Sequence, residues 1–224
     1  MNDSPEQISI YNFIGSSTSS LFVNARAGSG KTTTLKKVLT YLPKVIGIPG
    51  ETSNLVIAFN KGIVDTLVSS IPEGLATIKT LHGLGYGAIA SYLPRNSRLQ
   101  VDNRKYNKLL FAEPEGERKK LQSILGILRS LIADPDAPPS LEEVQELYLN
   151  GEFGEEISPA TYRTACMILK NGNAQVLQKP HCIDFDDMVY FPLMKKLPFT
   201  KYLNILVDES QDLSEANIAT IKAC

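Results

Sequence analysis

The chain is predicted to adopt an α/β fold, a parallel sheet with helices on both faces, and three observations carry that expectation. Two apolar runs, Asn54–Phe59 and Leu203–Val207, read as buried strands, and each is followed by a segment with helical spacing. A third run, Leu21-Phe22-Val23, leads through the loop Ala25-Arg26-Ala27-Gly28-Ser29-Gly30-Lys31-Thr32 into another helix-compatible stretch. Strands that alternate with helices over short turns pair in parallel. A chain of 224 residues, 43% hydrophobic and 21% charged, can bury one sizeable core or a core with a smaller subdomain.

The elements are expected in the following order. Ser4-Pro5 has the form of an N-cap with proline at the first helical position, so a short helix is predicted over Ser4–Ile14. A first strand is predicted over Ser20–Asn24 and a helix over Thr33–Leu42, ended by Pro43. Val45–Ser53 holds Gly47, Pro49 and Gly50 and reads as loop. After the Asn54–Phe59 strand, Ile63, Val64, Leu67, Val68 and Ile71 fall at helical spacing. Ala76–Thr80 follows as a strand and His82–Leu93 as a helix, despite Gly83, Gly85 and Gly87.

From Pro94 to Pro180 no convincing apolar strand occurs, and a helical insertion is predicted. Leu121, Ile124, Leu125, Leu128 and Ile132 form one apolar stripe, broken by Asp134-Pro135-Asp136-Ala137-Pro138-Pro139. Ser140 and Glu143 have the spacing of a capping box, and Ser158-Pro159 opens a further helix to about Lys170. Phe185–Leu197 is expected as a helix with a break at Pro192. Leu203–Val207 is the most strand-like run in the chain, and Ser214–Ala223 closes it as a helix. The predicted organisation is a sheet domain in two parts, residues 1–93 and 181–224, around an insertion of residues 94–180.

Charge and composition narrow the function classes. The formal net charge of −1 argues neither for nor against nucleic acid. Arg95, Arg98, Arg104, Lys105 and Lys108 face only Asp102; such a run either touches phosphates or forms a solvated face. No apolar run approaches the roughly 20 residues of a membrane span, and the first residues lack the pattern of a signal peptide. Cys166, Cys182 and Cys224 have no paired spacing, so neither disulfides nor zinc is expected. A cytoplasmic location, or a nuclear one in a eukaryote, is the expectation.

Strand, glycine-containing loop, Lys-Thr and helix is the order of a phosphate-binding P-loop. Its backbone N–H groups would converge on anionic oxygens, Lys31 would reach the terminal phosphates, and the Thr32 hydroxyl would ligate Mg²⁺. Ala25 stands where the strict pattern has glycine. The second half of such a site is an apolar strand ending in acid, here Leu203–Val207 with Asp208-Glu209. In a parallel sheet ligands sit at the carboxyl ends of strands, which puts Asp208 and Glu209 at the edge that carries the loop. Asp208 can hold Mg²⁺ and Glu209 can accept a proton from attacking water.

The P-loop at Ala25 together with Asp208-Glu209-Ser210-Gln211-Asp212 resembles the UvrD/Rep-type helicases of superfamily 1. That resemblance implies a P-loop, RecA-like ATPase domain using ATP and Mg²⁺. Lys31, Glu209 and Gln211 would be catalytic, with Gln211 linking the γ-phosphate to DNA-facing elements. Gln7, in Pro5-Glu6-Gln7, resembles the family's adenine-reading glutamine, and Thr33 stands where many members carry arginine. By itself Gln7 reads as a surface glutamine at a helix start. Phe59, Asn60 and Lys61 occupy the place of motif Ia, and Thr80 and His82 that of motif Ib, both on the single-stranded DNA path. On the residues alone, Phe59 reads as core and His82 as a satisfied surface histidine. Asp184-Phe185-Asp186-Asp187-Met188 looks like the segment preceding motif II, and Ala58-Phe59-Asn60-Lys61 suggests the branch of the F-box DNA helicases.

The expected partners are single-stranded DNA and a second RecA-like domain, because motifs III to VI are missing; residue 224 is then not a natural terminus. The complete enzyme would move 3′ to 5′. The competing readings are a truncated or split module that binds ATP and single strands without motor activity, and a P-loop ATPase outside the helicases.

Overall fold

The structure, a computed structural model, describes residues 3–26, 28–42, 53–150 and 156–224. Helix α1 (Pro5–Ser16) begins as its sequence requires: Ser4 caps it, and Gln7 returns the bond in a reciprocal capping box. It packs on α2 (Lys31–Tyr41), with the Tyr11 and Tyr41 rings stacked 5.1 Å apart. This packing fixes Gln7 relative to the first turn of α2.

Strand β1 (Asn54–Ile57) is the centre of a three-stranded parallel sheet, between β2 (Thr77–Lys79) and β5 (Asn204–Val207). Every residue of β1 is buried, as expected of a strand covered on both faces. Register is pinned by Asn54, whose buried amide donates to the Leu75 carbonyl and accepts from Asn204. Helix α3 (Lys61–Ser70) is capped by Asn60, and its Leu67 joins Leu39, Val56, Ala58 and Ile71 in one cluster under α2 and α3. Because all three strands are parallel and in register, Ala58, Thr80 and Asp208 leave the sheet at one edge.

One predicted strand does not form. Residues 20–24 belong to no strand, and Leu21, Phe22 and Val23 are exposed, Phe22 to 74%. A short apolar run becomes a strand only where a neighbouring edge accepts its backbone. Here β5 is bonded on one side only, by β1. The loop expected at Val45–Ser53 lies, apart from Ser53, outside the described residues.

The chain divides into two compact units, Thr80 and the described residues before it with Lys201–Asp212, and Leu81–Thr200 with Leu213–Cys224. The second is mainly helical: α4 (Leu81–Tyr92), α5 (Lys105–Leu110), α6 (Glu115–Ser130), α7 (Leu141–Asn150), α8 (Pro159–Leu177), α9 (Phe185–Met194) and α10 (Glu215–Ala223). The apolar stripe of α6 packs inward, with Leu121, Ile124, Leu125 and Leu128 all buried. The Ser140–Glu143 capping box forms through both of its bonds.

Three features depart from the sequence expectation. The insertion does contain a strand: β3 (Gln100–Val101) pairs in parallel with β4 (Cys182–Ile183), a ribbon too short for any periodicity to announce. Helix α8 runs to Leu177 rather than Lys170. Gly172 and Asn173 continue it because the Tyr106 hydroxyl lies 2.3 Å from where a Gly172 Cβ would be, and Asn173 donates to Tyr190. Pro192, expected to break its helix, lies inside α9. Having no N–H, Pro192 leaves the Met188 carbonyl without its helical donor. That carbonyl points at Gly85 on α4, its oxygen 1.6 Å from the place a Cβ would take. Glycine alone admits this approach, which presents its Cα–H to the oxygen. The proline is therefore accommodated by the facing glycine.

The basic run is also divided. Lys105 is buried and ion-paired with Asp187 at 2.6 Å, and Lys108 is paired with Asp102 at 2.5 Å, leaving Arg95, Arg98 and Arg104 exposed. Among the described residues no helix is long and apolar enough to cross a membrane.

Candidate functional site

The loop between residue 24 and α2 is shaped by two glycines. Gly28 (φ +76°) and Gly30 (φ +83°) take left-handed conformations that a Cβ would oppose, and the Ser29 N–H closes a tight turn onto the Arg26 carbonyl at 3.2 Å. Ala25 is half-buried, Arg26 and Ser29 are exposed, and Ala27 lies outside the described residues.

Gly30 is also the N-cap of α2, and a glycine supplies no capping side chain. The ladder starts with the Thr34 N–H on the Gly30 carbonyl, so the N–H groups of Lys31, Thr32 and Thr33 have no helical acceptor. In contrast, α1, α3, α8, α9 and α10 each begin with a Ser, Asn or Asp side chain bonded to a backbone N–H. The first turn of α2 carries no acid; it carries Lys31, the sign that a helix N-terminus disfavours. Free amides at a helix end with a cation beside them are groups to which an anion can bind.

Across the strand ends, the Lys31 ammonium donates to Glu209 Oε1 at 2.8 Å, each side chain about one-third exposed (34% and 32%). Gln211 donates to the other Glu209 oxygen at 2.7 Å, and the Glu209 N–H donates to Asp208 Oδ1 at 3.1 Å. Glu209 has φ +54°, a strained value for a residue with a Cβ, before a 3₁₀ turn at Ser210–Asp212. The hydrogen bond to Glu209 raises the Lys31 pKa, with attraction from Asp208 and Asp212 adding to it. The same lysine, and then Gln211, holds Glu209 below its ordinary value. The pair is therefore kept throughout the neutral range. Its contribution is lost on the acid side as pH falls through the depressed Glu209 value, and on the basic side only above the ordinary lysine value.

Gln7 stands beside the loop, its Nε2 3.4 Å from where a Gly30 Cβ would be. Both ends of its amide are used: the oxygen accepts from the Ser4 N–H at 3.0 Å and the nitrogen donates to Thr34 Oγ1 at 2.8 Å. Thr34 carried no sequence signal, since its part depends on α1 lying against α2. Thr32 and Thr33 are exposed in the first turn. The Thr32 hydroxyl and Asp208 carboxylate are hard oxygen donors of the kind Mg²⁺ takes, and the free amides with Lys31 suit a polyphosphate.

The first unit thus brings together Gln7, the P-loop and Glu209 with Gln211. Phe59 is 60% exposed at the carboxyl end of the β1 run, which overturns its reading as core. Asn60 is spent in part on structure, accepting the Ile63 N–H at 3.0 Å as the cap of α3, and Lys61 is exposed. Thr80 ends the first unit, whereas His82 lies in α4 of the second, its ring 5.5 Å from Phe185.

The family model described as UvrD/REP helicase N-terminal domain matches residues 4–224. The chain belongs to the UvrD/REP helicase family. No curated protein matches it. Membership in this helicase family accounts for the loop before α2 and the Asp-Glu strand end meeting through Lys31 and Glu209, and it makes the chain a helicase N-terminal domain.

Proposed function

We propose that this UvrD/REP-type domain binds Mg-ATP at the α2 N-terminus and couples its hydrolysis to 3′-to-5′ movement on single-stranded DNA once a second RecA-like domain completes the site. The observation that carries the reading is the Lys31–Glu209 ion pair at an uncapped helix end. Lys31 and the amides of the Gly28–Thr32 loop hold the phosphates, Thr32 and Asp208 hold Mg²⁺, and Gln7 reads adenine by giving up Thr34. Mg²⁺, when bound, neutralises charge on the β- and γ-phosphate oxygens. Lys31 cannot serve Glu209 and a phosphate at once. Phosphate binding therefore frees Glu209, which then orients the attacking water and takes its proton, while Gln211 follows the change toward the DNA-facing residues Phe59, Asn60, Lys61, Thr80 and His82.

Glu209, tied to Lys31 and Gln211, supports a second reading: a module that holds ATP and single strands with little turnover of its own. Both readings require the two ligands to bind in a linked manner. Anisotropy of a labelled oligo(dT), titrated with the chain in the presence and absence of Mg-ATP, is expected to show single-strand binding whose affinity changes roughly 5- to 150-fold with nucleotide. ATP turnover rising with oligo(dT) selects the motor over the passive module. Oligo(dT) affinity indifferent to nucleotide, with no turnover, contradicts both.

A further inference from the structure

The second unit carries a groove of about 630 Å³ between the turn after α6 and helix α7, away from every residue assigned above. Ligand-binding clefts span about 300–1,000 Å³. Leu131 and Leu147 line it, 41% and 43% exposed. Asp134, Glu143 and Glu146 supply its charge, and no lysine, arginine or histidine is among its lining residues. None of the three acids is ion-paired among the described residues. Lys170, on α8, is bound instead to Asp136 at 2.6 Å, and Glu143 accepts only the Ser140 N–H, on one oxygen.

One wall of the groove is a strained turn. Ile132 has φ +55°, a left-handed conformation that a β-branched side chain opposes. Its N–H donates to the Arg129 carbonyl at 3.0 Å, and that of Ala133 to the Leu128 carbonyl at 2.9 Å. This pair of bonds commonly ends a helix on glycine. The buried Tyr190 donates to the Ala133 carbonyl at 2.8 Å and ties the turn to α9. Glycine would take the Ile132 backbone without strain. What isoleucine adds is an apolar side chain on the groove.

We propose that this groove is a docking surface for a basic amphipathic helix of a partner protein. Charge complementarity selects that occupant. Glu143, Glu146 and Leu147 stand at i, i+3 and i+4 on α7, on one face of the helix. A second helix laid along that face has the same pitch. Its lysines or arginines one turn apart meet the two glutamates, while its apolar residues cover Leu131, Ile132 and Leu147. Three acids without a cation repel the phosphates of a nucleic acid. The proposal therefore does not rest on the nucleotide and single-strand reading above.

The probe is a fluorescein-labelled peptide of leucine and lysine, with leucine at i, i+3, i+4 and i+7, titrated with the whole chain. A permuted peptide of the same composition, with no apolar face, is the control. Anisotropy is expected to show saturable binding of the first alone. Glu143→Gln with Glu146→Gln keeps the Ser140 cap, because glutamine also serves at that position. That variant is expected to bind the peptide about 2- to 30-fold more weakly, with a flatter salt dependence. Leu147→Ala is expected to cost about 5-fold or more. Ile132→Gly removes the side chain together with the strain, so it is expected to melt no lower than wild type and still lose about 5-fold or more. Equal binding of the permuted peptide, or binding of neither, overturns the proposal, as does retained affinity in Leu147→Ala or Ile132→Gly. Sedimentation of the chain alone as a dimer that Leu147→Ala dissolves gives the groove to a second copy. Weaker oligo(dT) binding in these variants gives it to DNA, and either result overturns the proposal.

Discussion

Lys31→Ala is expected to lose Mg-ATP binding to the detection limit of a calorimetric titration, and any ATP turnover is expected to fall by about 10²–10³-fold or more. The reason lies in the composition of the α2 N-terminus. Gly30 contributes no cap, the first turn contains no acid, and Lys31 is the single cation there, tied to Glu209. Removing it leaves oriented amides without a charge to offset a triphosphate. Glu209→Gln separates the two roles of the ion pair. That variant frees Lys31 from its competitor, so it is expected to bind Mg-ATP at least as tightly as wild type while losing turnover. Normal turnover in Lys31→Ala, or weaker binding in Glu209→Gln, removes these residues from the site.

Asp187→Ala is expected to destabilise the helical unit by about 3–5 kcal/mol, the cost of leaving a buried charge without its partner. The carboxylate accepts from Lys105 Nζ at 2.6 Å, the Asp184 N–H at 3.0 Å and the Tyr106 hydroxyl at 3.2 Å, with no solvent access. For a chain of this size that loss corresponds to a melting temperature lower by roughly 6–20 °C. Lys105→Met is milder and depends on pH. Burial already pushes the Asp187 carboxyl up, with Lys105 pulling against it. Without the lysine the folded-state value rises further above the unfolded one. The variant's deficit therefore shrinks as pH falls and the carboxyl becomes neutral, and grows as pH rises through the unfolded value. Lys105→Met with Asp187→Asn is expected to recover more than half of the Asp187→Ala loss. Thermal unfolding of wild type, Asp187→Asn, Lys105→Met and the double variant at two pH values checks the cycle, and additive losses contradict the pairing.

What could be read from the sequence was what depends on neighbours along the chain. The caps at Ser4 and Ser140 are local chemistry, and both form. The apolar runs at Asn54 and Leu203 are strands because each finds an adjacent edge. The run at Leu21 is apolar too, yet it pairs with no strand although β5 is bonded on one side only. Periodicity does not report whether a partner exists. Pro192 misled for the corresponding reason: a helix interior rejects it only until a facing Gly85 fits around it.

The candidate site divides along the same line. Loop order and the acidic strand end were legible, because spacing and residue type are one-dimensional. The left-handed Glu209 and the second bond of Gln7 to Thr34 were not, since each needs the fold. Nor was Lys105 separable from Arg104 in a run of cations; only the packing of α5 against α8 and the buried Asp187 takes it out of solvent.

The central claim is that the uncapped end of α2 receives the phosphates of ATP. Backbone amide NMR of the whole chain titrated with Mg-ATP tests it most directly. Saturable, one-to-one shifts at Gly28, Ser29, Gly30, Lys31 and Thr32 are predicted, with the Glu209 amide shifting in step as its ion pair opens. Saturable shifts elsewhere with this loop unmoved would contradict the account.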